Sequence, residues 1–76
     1  MAGRVDIYQK DVFIRIYTDG SGPDNFKKQR PFAYIEFNHQ AYAIAGSADE
    51  LRRKLSWLDV NPEPVMAVWE LAAKNI

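Results

Sequence analysis

The stretch Arg4-Val5-Asp6-Ile7-Tyr8-Gln9-Lys10-Asp11-Val12-Phe13-Ile14-Arg15-Ile16-Tyr17 decides the fold. Its aliphatic residues alternate, as they do in a strand with one buried face. Val5 and Ile7 are odd-numbered, whereas Val12, Ile14 and Ile16 are even-numbered. A regular strand cannot change parity. The change across Lys10-Asp11 therefore demands a reversal of direction or a bulge. A tight hairpin is the favoured arrangement, and one long bulged strand is the alternative.

Working outward, residues 19–31 contain Gly20, Ser21, Gly22, Pro23, Asp24 and Asn25, which is turn chemistry. A connection this long in a compact domain is often functional or mobile. A second hairpin follows, with Phe32–Phe37 and Gln40–Ala45 joined by Asn38-His39. Asn suits the left-handed backbone of a two-residue turn, and His is a less usual companion. Uninterrupted pairing places Ala33, Ile35, Phe37, Tyr42 and Ile44 on one face, expected to be core. Phe32, Tyr34, Glu36, Ala41, Ala43 and Ala45 then share the other face.

Beyond Gly46 the periodicity becomes helical. Ser47-Ala48-Asp49-Glu50 is a capping box in which Ser47 accepts from the Glu50 amide and Glu50 reaches back to the Ser47 amide. Ala48, Leu51, Leu55 and Leu58 form an apolar stripe. Asp59-Val60-Asn61-Pro62 interrupts it, with Asn61 placed to cap a second helix that begins at Pro62. Val65, Val68, Trp69, Ala72 and Ile76 form the second stripe. The expected fold is α+β in ββββαα order: a four-stranded antiparallel sheet with two C-terminal helices packed on one face. Strand order does not follow from the sequence.

The 76 residues amount to a single domain. A chain of this size buries only about 60–65% of its unfolded surface. It has no cysteine and one histidine, His39, so disulfides and a structural zinc site of about four Cys/His ligands are not expected. No cofactor is expected either. Apolar residues make up 47% of the chain, which marks it as globular rather than disordered. Ten basic and ten acidic side chains cancel. Dedicated nucleic-acid binders are clearly basic, so neutrality argues against that class. No apolar run approaches the ~20 residues that span a bilayer, and the first residues lack the apolar core of a signal peptide. A cytoplasmic protein with no membrane association is the expectation.

Three features carry the functional expectations. Phe13, Arg15 and Tyr17 lie on the non-aliphatic side of their strand and can join Phe32, Tyr34 and Glu36 on one sheet face. Aromatic residues interleaved with charge are what the centres of protein interfaces use. This points to a protein partner, including a homodimer. The pattern is loosely similar to the RNA-stacking sheet of an RRM, but the βαββαβ order and glycine-aromatic signature are missing. Phe26, Lys27, Lys28 and Arg30 form a local basic and aromatic patch, from which a nucleic-acid contact is the alternative expectation. Arg52, Arg53 and Lys54 are read as a solvated face, because Asp49 and Glu50 each precede a base by four residues. Trp57, Met66 and Leu71 could form an exposed apolar patch that marks a partner site; packing between the helices or under the terminus is the favoured expectation.

Tyr17-Thr18-Asp19-Gly20-Ser21 resembles the opening strand of a ribonuclease H domain. The resemblance covers five residues and implies metal-dependent hydrolysis by several converging carboxylates. No phosphate loop or serine–histidine–acid set accompanies it, so a non-enzymatic role is expected. The order of hairpins followed by two helices is loosely reminiscent of small anti-CRISPR proteins. That analogy implies an accessory or inhibitor role of the phage and mobile-element type.

Overall fold

A computed structural model describes residues 3–18 and 31–74. The order is β1 (Arg4–Gln9), β2 (Val12–Tyr17), β3 (Phe32–Phe37), β4 (Gln40–Ala45), α1 (Ala48–Trp57) and α2 (Pro62–Lys74). The parity change resolves as the hairpin: Gln9 faces Val12 across a two-residue turn, and Ile7 faces Ile14. The sheet is an antiparallel meander in the order β1-β2-β3-β4. Helices α1 and α2 cover one face, where Val12, Ile14, Ile16, Ala33 and Ile35 meet Leu51, Leu55, Val65 and Trp69. That burial supplies most of the stabilisation, at about 25 cal/mol per Å² of apolar surface.

The helix signals read as expected, with one change. Ser47 accepts from the Glu50 amide at 3.2 Å, while Glu50 takes its reciprocal bond from the Gly46 amide at 3.0 Å, not from Ser47. Glu50 also pairs with Lys54 at 3.8 Å. Helix α1 ends in a Schellman motif. The Val60 amide donates to Leu55 O at 3.3 Å, and the Asp59 amide donates to Ser56 O at 3.4 Å. Asp59 takes the left-handed position at φ 55°. Asn61 Oδ1 then accepts from the Glu63 amide at 3.2 Å and caps α2.

The second hairpin departs from simple alternation. The Asn38-His39 turn is present, both residues at positive φ, and Phe37 faces Gln40. Glu36 faces Ala41, but Ile35 faces Ala43, so Tyr42 is an extra residue in β4. This bulge inverts the rest of the strand. Ala45, expected on the outer face, is fully buried beneath the helices, and Ile44, expected in the core, is 38% exposed. The cause is the close seating of α1 on the end of β4. The Lys54 ammonium donates to Ile44 O at 2.8 Å, and Glu50 holds the Gly46 amide at 3.0 Å. Under a helix held that near, a methyl group fits and an isoleucine does not.

Two further expectations are corrected. Met66 is buried in the core, as expected of a packed residue, but Trp57 and Leu71 are 65% and 59% exposed. Phe32, expected on the contact surface, is buried. Among the described residues no helix is long and apolar enough to cross a membrane.

Candidate protein interface on the open sheet face

The face turned away from the helices is built in rows by the register. Arg4, Tyr17 and Phe32 form the first row. Asp6, Arg15, Tyr34 and Ile44 form the second, and Tyr8, Phe13, Glu36 and Ala41 the third. The two-residue turn at Lys10-Asp11 fixes the first pair of columns. Any slip by one residue would exchange this set for the aliphatic core residues. Phe13, Arg15, Tyr17, Tyr34 and Glu36 are therefore brought together as expected. Phe32 shares the first row but is buried, its ring centroid 6.0 Å from that of Tyr17. Phe26, Lys27, Lys28 and Arg30 lie outside the described residues, as does Asp19 of the ribonuclease H resemblance.

Side chains on this face lock one another in place. Arg15 grips Asp6 with two bonds, Nε to Oδ1 at 2.9 Å and Nη2 to Oδ2 at 3.2 Å. This planar two-point contact is one that lysine cannot make. The bond from Arg15 holds the Asp6 carboxyl below its usual range. The same bond makes the guanidinium still harder to deprotonate. The Arg15 guanidinium carbon stands 5.1 Å from the Phe13 ring centroid, within cation–π range. Tyr8 leans on Phe13 with ring centroids 4.9 Å apart. The Tyr34 hydroxyl donates to Glu36 Oε2 at 2.7 Å, and that bond raises the phenol above its ordinary range.

At the turn end of the face lies an open groove of about 430 Å³. Tyr8, Phe13, Arg15 and Glu36 line it from the strands, and Lys10, Asp11 and His39 from the two turns. The turns are tied together where the Asn38 amide donates to Asp11 O at 3.0 Å. No group of three or more His, Cys, Asp or Glu that could hold a metal ion occurs among the described residues.

Sequence reading missed Arg4, Asp6, Tyr8 and Ile44 on this surface. Tyr8, 73% exposed, and Asp6 follow from the parity of β1 once the hairpin turn is set at two residues. Ile44 had no such signal, because it reaches the face only through the bulge at Tyr42. No protein-family model, curated protein or solved structure matches the chain.

Proposed function

We propose that this chain is a non-enzymatic protein-binding module that docks a protein partner on its open sheet face. The observation that carries the reading is the interlocked Asp6–Arg15–Phe13–Tyr8 cluster, with the Tyr34–Glu36 pair beside it. Tyrosine and arginine are enriched among residues that dominate binding energy. Here their rotamers are already constrained, so less side-chain freedom is lost on association. The exposed Tyr42 and Ile44 extend the apolar area toward the β4 edge. An accessory or inhibitor protein of the phage type, acting in the cytoplasm by occluding its target, fits such a surface.

The charge of the face favours protein over nucleic acid. Arg4 and Arg15 are balanced by Asp6 and Glu36, and a neutral face offers little to a phosphate backbone. A nucleic-acid contact through Lys27, Lys28 and Arg30 is the competing reading. It predicts salt-dependent binding that disappears when those three are neutralised.

The test is affinity capture from the source cells with three baits: the native chain, a Tyr8→Ala/Tyr34→Ala variant, and a Trp57→Ala variant altered on the helical side. The same stoichiometric protein should accompany the native and Trp57→Ala baits and be lost from the double variant. Loss from Trp57→Ala alone would move the contact to the helices. Light scattering at low and high concentration identifies the case in which the partner is a second copy.

A further inference from the structure

Within the proposed contact face, and resting on that reading, we infer that the groove between the two turns receives a lysine or arginine side chain from the protein partner, with Glu36 as its acceptor. The charges around the groove do not all cancel locally. Arg15 is neutralised by the two-point contact with Asp6. Lys10 and Asp11 are adjacent and of opposite sign. Glu36 is left over. It is half-buried, and its hydrogen-bond partner is the neutral phenol of Tyr34, which occupies Oε2.

Among the described residues this half-buried carboxylate has only a neutral donor, and such a group is stabilised when a cation arrives. The walls suit the same guest. Phe13 already holds one guanidinium at 5.1 Å, and Tyr8 beside it is 73% exposed, with ring surface to offer. Aromatic rings flanking a carboxylate attract an ammonium or guanidinium through the ring quadrupole as well as through charge. A groove of about 430 Å³ accommodates the terminal part of such a side chain. An anionic group would meet the Glu36 carboxylate at the same place, so phosphate is disfavoured.

The test uses the full chain, isotope-labelled, titrated separately with Ac-Gly-Arg-Gly-NH2, Ac-Gly-Lys-Gly-NH2 and Ac-Gly-Glu-Gly-NH2 while amide and aromatic NMR shifts are followed. Glu36→Gln is titrated in parallel. It removes the charge yet keeps an oxygen to accept from Tyr34, and its dispersed spectrum certifies the fold. The basic peptides should shift Tyr8, Phe13 and Glu36 in a saturable way, with the acidic peptide inert at the groove. Glu36→Gln should weaken the response at least fivefold. Equal responses to acidic and basic peptides, or an unaltered response in Glu36→Gln, would overturn the inference. Shifts gathered instead around Tyr34, Tyr42 and Ile44 would overturn it while leaving the open face as a contact surface. No shift anywhere on the sheet would count against both.

Discussion

Tyr34 on β3 and Ile44 on β4 stand directly opposite one another on the face away from the helices. Simple alternation from the Asn38-His39 turn places them on opposite faces. The bulge at Tyr42 joins them, and it places Ala45 beneath α1. The two neighbouring positions therefore respond to substitution in the reverse of the order their side chains suggest. Ile44→Ser should change stability by no more than about 0.5 kcal/mol, as at an ordinary surface site. Ala45→Leu should overpack the sheet–helix interface and cost about 1–3 kcal/mol. Urea unfolding midpoints of the two variants check this, and a larger loss in Ile44→Ser would restore the unbulged register.

The Asp6–Arg15 pair gives a pH dependence of known sign. Its folded carboxyl titrates below the unfolded value. The stability it contributes is thus present above the ordinary carboxylate range and is lost as pH falls through the folded value. Both side chains are about 30% exposed, so the contribution should not exceed about 1 kcal/mol. Asp6→Asn should be less stable than the native chain at pH 7, and the difference should close in strong acid. A difference independent of pH would assign the loss to something other than this charge.

The first hairpin is held to the helical layer by a side chain that mimics a peptide group. Gln9 Nε2 donates to Asn61 O at 2.9 Å, and Gln9 Oε1 accepts from the Asn61 amide at 3.0 Å. Gln9→Ala should cost about 1 kcal/mol, the net worth of exposed hydrogen bonds. The Asn61 amide should exchange with solvent faster than in the native chain. Gln9→Glu keeps the acceptor and loses the donor, so it should protect the Asn61 amide while still losing stability.

Asp59 holds the left-handed position of the Schellman motif at φ 55°, where glycine is the usual occupant. Asp59→Gly should leave the structure unchanged. Relief of the side-chain clash is worth about 1–2 kcal/mol and is partly offset by the extra backbone freedom of glycine. A net gain of up to about 1 kcal/mol in thermal or urea unfolding is expected. Loss of stability would mean that the Asp59 side chain serves α1 or α2 in another way.

The reach of sequence reading follows from what each signal depends on. Local signals sufficed for the hairpin at Lys10-Asp11, the Ser47 and Asn61 caps and both helical stripes up to Ala72, Ile76 lying outside the described residues, because turn and cap chemistry act within a few residues. They also brought Phe13, Arg15, Tyr17, Tyr34 and Glu36 to one face, since parity is local once a strand is set. The bulge at Tyr42 was hidden because it answers to α1, which arrives later in the chain and presses on Ala45. Burial of Phe32 and exposure of Trp57 and Leu71 likewise depend on what the tertiary structure covers. Tyr8 was legible and overlooked: its partner Phe13 is fixed by the same turn that fixes Ile7 with Ile14.

The central claim is that a protein partner sits on the open sheet face. Its most direct test is hydroxyl-radical footprinting of the chain, alone and in the complex recovered by affinity capture, read residue by residue by mass spectrometry. Tyr8, Phe13, Tyr34 and Tyr42 should become protected in the complex, while Trp57 on α1 reacts as fast as in the free chain. Protection of Trp57 with unchanged oxidation of Tyr8 and Tyr42 would contradict the account and place the partner on the helices.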